Sequence, residues 1–153
     1  MNHTKWTDKL LKSFNPCADG YDWYIANCRD KTEDTVEIIN MLIAAEKLDW
    51  AAWTMARALS DKNKIRYAIY AAEQILGIFE EKYPNDKRPR LAIDAAKEYL
   101  KNPCELTKDA VKEAANAAYA GANAAAYSDY AAHAAARKKI LAYGISLLSG
   151  SEA

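Results

Sequence analysis

The stretch from residue 83 to residue 100 constrains the fold most, because two prolines interrupt a helical pattern there. Pro84 lacks the N–H that a continuing helix needs, so the preceding helix is predicted to end before it. Pro89 suits the first turn of the next helix, where its ring presets φ and its missing N–H has no partner to lose. Apolar residues then recur at helical spacing, namely Leu91, Ala92, Ala95, Ala96, Tyr99 and Leu100. The stretch therefore predicts a corner between two helices at the centre of the fold.

Charged side chains mark this corner, and they allow two interpretations. Asp86 lies ahead of the helix, where a carboxylate can accept unpaired N–H groups or hold Arg88 or Arg90 in a two-pronged ion pair. The structural interpretation is a buried ionic network that fixes how the helices meet. Its members would be Arg57, Arg66, Asp86, Arg88, Arg90 and Asp94. The functional interpretation is a site for an anion or an acidic partner, since arginine binds carboxylates and phosphates with two hydrogen bonds. The residues alone favour the structural interpretation.

The rest of the chain also shows helical periodicity, without the alternation and hairpin turns that indicate strands. One helix is predicted from Trp6 to Phe14 and a long one from Ser60 to about Lys82. The predicted N-caps of the other helices are Asn15, Thr32, Asp49 and Thr107. The sequence thus predicts an all-α fold, a single compact bundle of about seven or eight helices that are partly paired as in an α-solenoid. We expect one domain over residues 1–153, with 1–5 and 149–153 frayed.

Two side-chain patterns indicate how these helices pack. Trp50 and Trp53 stand one turn apart and are predicted to be core anchors rather than a ligand cage. Residues 110–136 contain 15 alanines in 27 positions, which predicts two closely packed antiparallel helices with a break near 127–129. Within this segment, Asn116 and Asn123 are predicted to set the register of the helices rather than to bind a ligand.

Composition excludes several classes of protein. Lys plus Arg equals Asp plus Glu at 21 each, which leaves no electrostatic footprint for nucleic acid. No apolar run approaches the length of a membrane span, and the first residues lack the basic start and apolar core of a signal peptide. Cys17, Cys28 and Cys104 form no metal-ligand pattern and leave one thiol over in any disulfide scheme. We therefore expect a cytoplasmic protein that contacts neither nucleic acid nor membrane.

Candidate catalytic groups are few. His133 lies one turn after Tyr130 and one turn before Arg137, and it could act as a general base if Asp129 oriented it. The commoner role for such a histidine is packing between helices. The sequence lacks metal-binding motifs and phosphate-binding glycine loops, so we expect no cofactor and no enzyme activity. The candidate binding residues are Asp86, Arg88, Arg90, Tyr130, His133 and Arg137.

Spaced motifs along the chain suggest a family. The first is Cys17-x-x-Gly20-x-x-Trp23, followed by Asp49-Trp50-x-x-Trp53. The second is Pro84-x-Asp86-x-Arg88-Pro89-Arg90-x-Ala92-Ile93, followed by the alanine-rich tail with Ala132-His133-Ala134-Ala135. From about Cys17 to Tyr143, this pattern resembles the all-α immunity proteins found beside bacterial polymorphic toxins, and related phage and prophage proteins.

The resemblance implies a protein that binds one toxin and blocks it, without a catalytic residue. Two alternatives stay open at this point. One is a phage-encoded inhibitor of a host defence system, of the anti-CRISPR kind, which would share the binding mechanism but differ in its target. The other is a small-ligand or anion-binding protein that uses Arg88 and Arg90, together with Tyr130 and His133 in an open pocket.

Overall fold

The computed structural model describes residues 2–3, 5–104 and 130–150, with side chains for all of these except 130–134. Within those ranges the chain forms seven helices and no strand, and Lys5 and Asp34 meet in one isolated β-bridge. In chain order the helices are α1 (Asp8–Ser13), α2 (Ala18–Asn27), α3 (Thr35–Ala44), α4 (Leu48–Ala58), α5 (Asp61–Lys82), α6 (Arg88–Lys101) and α7 (Tyr130–Ser149). The predicted all-α fold class is confirmed.

Part of the sequence analysis concerns residues outside the described ranges. The Thr107 N-cap and the Asn116–Asn123 pair lie there, as do the first of the two alanine-rich helices and the break near 127–129. The orientation of His133 by Asp129 lies there too, because neither side chain is described. These statements stay predictions.

The starts of α2 and α3 differ from the predicted positions. Asn15 is not the N-cap of α2: its φ of 48° puts it in the left-handed region, and Cys17 occupies the cap position. Thr32 does not begin α3, because its hydroxyl accepts a hydrogen bond from the Asp34 N–H at 3.0 Å and closes a turn ahead of the helix. Asp34 is the N-cap instead, and its carboxylate accepts from the Glu37 N–H at 2.8 Å.

The connection from α3 to α4 explains why Asp49 is not a cap. Glu46 has a φ of 55°, its N–H donates to the Ile43 carbonyl at 3.0 Å, and the Lys47 N–H donates to the Leu42 carbonyl at 2.9 Å. This pair of bonds around a left-handed residue is a Schellman motif, which satisfies the last carbonyls of α3. The motif is short enough that α4 already begins at Leu48, so Asp49 lies in the first turn.

The chain divides into two units, Met1–Asp61 with Leu141–Ala153 (unit 1) and Lys62–Ile140 (unit 2). The largest fully buried side chains of unit 1 are Trp6, Cys28, Thr35, Ile38, Ile39, Met55, Leu59 and Leu141. Asn2 ties the first residues to this core, because its amide donates to the Leu147 carbonyl at 2.9 Å and its oxygen accepts from the Ser60 N–H at 2.8 Å. A single domain over 1–153 stays a prediction.

In unit 2, α5 and α6 form a helical hairpin. Ile69 and Phe79 of α5 and Ala92 and Ile93 of α6 are its buried apolar residues among those described. Two ion pairs join the helices on the outside, Glu80 with Arg90 at 2.5 Å and Glu73 with Lys97 at 2.6 Å. The pairs are seven residues apart on each helix but in opposite directions, so α5 and α6 run antiparallel. The predicted corner lies at the tip of this hairpin, in mostly exposed residues, and the prediction that it lies at the centre of the fold is wrong.

Candidate functional site

The predicted corner between helices is present, and local bonds hold it. The helix α5 ends at Lys82, and the Tyr83 N–H still donates to the Phe79 carbonyl at 2.8 Å. Asp86 then closes a turn, because its N–H donates to the Tyr83 carbonyl at 3.1 Å. Pro89 lies in the first turn of α6, as its fixed φ predicts.

Asp86 and Arg88 form the two-pronged pair that their spacing allows. Arg88 Nε lies 2.9 Å from Asp86 Oδ1 and 3.1 Å from Oδ2, and the Arg88 backbone N–H donates to Oδ1 at 3.1 Å. The Arg88 side chain, followed by its backbone N–H, lowers the pKa of Asp86 to about 2. Asp86 is therefore ionised and fully engaged at neutral pH, which makes it a poor general base.

The prediction of a buried ionic network is wrong. Arg90 pairs with Glu80 of α5 rather than with Asp94, with Arg90 Nε 2.7 Å from Glu80 Oε1. The side chains of Arg88 and Arg90 are 64% and 52% exposed, so the pairs lie at the surface. Arg57 instead covers the Trp53 ring, with its guanidinium carbon 3.8 Å from the ring centroid. The network fails because Arg90, in the first turn of α6, faces the last turn of the antiparallel α5.

Leu91 is exposed, which corrects its prediction as part of the buried stripe of α6. Its exposed fraction is 63%, whereas Ala92 and Ile93 are buried. The inward face of α6 starts at Pro89 and continues through Ala92 and Ile93, which follow three and four residues later. This spacing turns Leu91 away from that face. Tyr83, 37% exposed, is the other large apolar side chain that the described residues leave in water. Both lie at the tip of the hairpin.

We call this tip the corner surface, an open depression lined by Lys82, Tyr83, Pro84, Asn85, Asp86, Lys87, Arg88 and Leu91. An exposed tyrosine and leucine are surrounded here by Lys82, Lys87 and Arg88. Tyrosine and arginine are enriched among the residues that dominate binding at protein interfaces. The surface can therefore offer apolar contact at its centre and N–H donors at its rim.

The structure describes the side chains of four of the six candidate binding residues. Asp86, Arg88 and Arg90 are together at the tip of the hairpin, whereas Tyr130, His133 and Arg137 lie on α7. The side chains of Tyr130 and His133 are not among those described, and Arg137 is exposed. Burial raises the pKa of Tyr67 to about 12, and the charge of Arg137 acts in the opposite direction. The convergence of Arg88, Arg90, Tyr130 and His133 on one open pocket stays a prediction.

The described part of the chain contains neither a cluster of metal-binding side chains nor a membrane-spanning helix. None of its histidine, cysteine, aspartate and glutamate side chains form a group of three or more that could hold a metal ion. Its helices include none with enough length and apolar character to cross a bilayer.

The Asp86–Arg88 pair predicts how the carboxyl group of Asp86 titrates. Because the folded pKa of Asp86 is depressed, the pair stabilises the fold above the ordinary carboxyl pKa, and this contribution is lost as pH falls towards 2. The Arg88→Ala variant should raise the pKa of Asp86, though not fully to 3.8, since the backbone N–H of residue 88 still donates. Carbon-detected NMR titration of the side-chain carboxyls measures this change in the pKa of Asp86.

Arg90→Ala is the matched control: it should raise the pKa of Glu80 and leave the pKa of Asp86 unchanged. An Asp86 pKa unaffected by Arg88→Ala would show that the pair does not form in solution.

The described residues thus define an all-α protein with a cationic, partly apolar corner at the tip of a helical hairpin. Residues 51–144 match the family model described as "Imm-5 like putative immunity protein", and the chain belongs to that family. The match begins within α4 and ends within α7, so it contains the whole corner surface. No curated protein and no solved structure matches the chain.

Proposed function

We propose that this protein is a non-catalytic inhibitor that binds one bacterial toxin in the cytoplasm and blocks it. Membership of the Imm-5 like family supports an immunity-type role, in which the partner is a protein. On this proposal neither a cofactor nor nucleic acid takes part, and inhibition follows from covering a functional surface of the toxin.

The exposure of Tyr83 and Leu91 is the observation that carries the proposal. Leaving a large apolar side chain in water is unfavourable compared with burying it. Tyr83 and Leu91 are the only large apolar side chains that the described residues expose. Both are at the corner surface, inside the region that matches the family. Apolar centres with a polar rim are the usual anatomy of a protein interface.

The charges at the rim support a partner with acidic groups around an apolar centre. Asp86 is neutralised by Arg88, which leaves Lys82 and Lys87 to give the depression a positive character. Opposite charges at the rim of an interface speed association and exclude wrong partners. This is what an inhibitor needs if it must reach one toxin quickly and leave other proteins alone.

A simple anion site accounts less well for the same arginines. Each guanidinium already holds a carboxylate of its own chain, Asp86 for Arg88 and Glu80 for Arg90. A free anion would have to displace that carboxylate or accept only the remaining N–H groups. The paired arginines are better suited to present a fixed surface, so we favour a protein partner.

Growth rescue tests the proposal. The toxin encoded beside this gene, induced in a bacterial host, should arrest growth, and co-expression of this protein should restore it. A toxin from an unrelated gene cluster is the control and should stay toxic. Purified toxin and inhibitor should also elute together as one complex in size-exclusion chromatography. If growth stays arrested while both proteins are folded and abundant, the proposal is wrong.

A further inference from the structure

The two exposed apolar side chains of the corner surface belong to different elements. Tyr83 directly follows α5, and Leu91 lies in the first turn of α6. The residues between them, 84–90, are exposed or half-buried, so little core packing fixes this connection. Whether a partner can contact both side chains at once therefore depends on how the end of α5 and the start of α6 are held together. A surface that is already ordered in the free protein loses less conformational entropy when a partner binds.

Each of the two side chains is fixed to its own helix. The Tyr83 N–H donates to the Phe79 carbonyl at 2.8 Å, and the Tyr83 ring centroid lies 5.1 Å from that of the buried Phe79. The Leu91 N–H donates to the Lys87 carbonyl at 3.0 Å, within the first turn of α6. These contacts place each side chain on a helix, but they do not set the distance between the two helices.

The Glu80–Arg90 pair joins the two helices at this end. Glu80 is three residues before Tyr83, and Arg90 is next to Leu91. Arg90 Nε donates to Glu80 Oε1 at 2.7 Å, and Arg90 Nη2 donates to Glu80 Oε2 at 2.5 Å. Two parallel bonds between a guanidinium and a carboxylate fix the orientation of the two groups as well as their distance. The pair therefore restrains the start of α6 against the end of α5.

Neither Glu80 nor Arg90 lines the corner surface. The Glu80 side chain is only 21% exposed, and both of its carboxylate oxygens accept from Arg90. The Asp86–Arg88 pair is different, because both of its residues line the surface and lie two positions apart, so it does not connect α5 with α6. The place of the Glu80–Arg90 pair beside the corner surface indicates a role that acts through the two apolar side chains.

We infer that Glu80 and Arg90 are positioning residues for toxin binding, which hold Tyr83 and Leu91 in place on the free protein without touching the toxin. This inference rests on the proposed function and adds the reason why the corner surface is ordered before the toxin arrives. It changes the role of Arg90, which the sequence places among the candidate binding residues, from contact to support.

Two substitutions that keep every charge test the inference. Glu80→Asp shortens the side chain by one methylene, and Arg90→Lys replaces the guanidinium with an ammonium that cannot donate two parallel bonds. We expect each to weaken binding of the purified toxin by about 3- to 5-fold, near the upper limit of what an exposed ion pair contributes. The double variant should lose no more affinity than the weaker of the two single variants, because both changes remove the same pair. Calorimetric titration measures these affinities.

Glu73→Asp is the matched control. Glu73 pairs with Lys97 across the same two helices at 2.6 Å, but seven residues further from the tip. The same loss of a methylene from the same helix should leave the affinity for the toxin within about 1.5-fold of the parental value. Glu73→Asp and Glu80→Asp should also lower the resistance to urea by similar small amounts. A loss of affinity in Glu80→Asp alone therefore cannot come from general destabilisation.

Nitrogen relaxation of the backbone amides in the free protein provides a measurement that needs no toxin. Glu80→Asp should increase the fast motion of residues 83–87, whereas Glu73→Asp should not. If Arg90→Lys loses affinity while Glu80→Asp keeps it, Arg90 contacts the toxin and the inference is wrong. Parental affinity and parental loop motion in both variants would also overturn the inference, yet leave the proposed function standing. If the parent protein itself does not bind the toxin, the proposed function fails and the inference fails with it.

Discussion

Gly144→Ala should lower the free energy of unfolding by about 1–2 kcal/mol. A Cβ at this position of α7 would lie 2.7 Å from both Cε and Sδ of Met55 and 2.9 Å from its Cγ. Met55 is fully buried in α4, so its side chain would have to repack inside the core of unit 1. This overpacking should outweigh the roughly 0.5–1 kcal/mol that alanine gains over glycine in a helix. Urea denaturation with an unchanged m-value measures the difference.

Gly77→Ala is the matched control, because a Cβ there meets nothing within 4 Å. Gly77 is exposed in the middle of α5, so this change should raise the free energy of unfolding by about 0.5–1 kcal/mol. A double-mutant cycle identifies the cause. In a Met55→Ala background the clash is gone, and Gly144→Ala should then cost nothing or stabilise. An unchanged cost in that background would mean that Met55 is not the obstacle.

The corner could be predicted from the sequence because its determinants are local. Pro84 and Pro89 act through their own rings, and Asp86 reaches Arg88 two residues away. The partner of Arg90 could not be predicted in this way. Glu80 lies ten residues earlier on another helix, and only the antiparallel register of α5 and α6 brings the two together. Asp94 had the right sequence spacing, but spacing along one helix does not exclude a better partner on its neighbour.

The wrong predictions for the start of α4 and for the burial of Leu91 on α6 have a similar origin. The Schellman motif around Glu46 fixes where α4 begins, and its defining bonds join backbone atoms rather than recognisable side chains. Leu91 was assigned to the buried stripe because it is apolar, yet the stripe passes through Pro89 instead. The tryptophan spacing did predict ring packing, since the Trp53 ring lies 6.5 Å from that of Trp6 and the Trp50 ring lies 6.4 Å from that of Trp23.

Leu91→Asp should strongly weaken binding to the toxin while leaving the fold intact. Leu91 is 63% exposed, and an acid in the first turns of α6 meets the favourable end of the helix dipole. We therefore expect the free energy of unfolding to change by less than about 0.5 kcal/mol. At the centre of an interface, the same charge would be desolvated, so affinity for the toxin should fall by about 30-fold or more. Calorimetric titration against the purified toxin measures this loss.

Two companions make the Leu91→Asp result specific. Tyr83→Ala removes the other exposed apolar side chain of the corner surface and should also weaken binding, by about tenfold or more. Ala68→Asp introduces the same charge at an exposed position of α5 in the same unit, and it should bind the toxin like the parent. The tip of the hairpin is the binding surface only if the first two variants lose affinity and Ala68→Asp keeps it. If Leu91→Asp binds the toxin with parental affinity, the interface lies elsewhere on the protein. A leucine this exposed has no structural role that could mask the loss of a contact with the toxin.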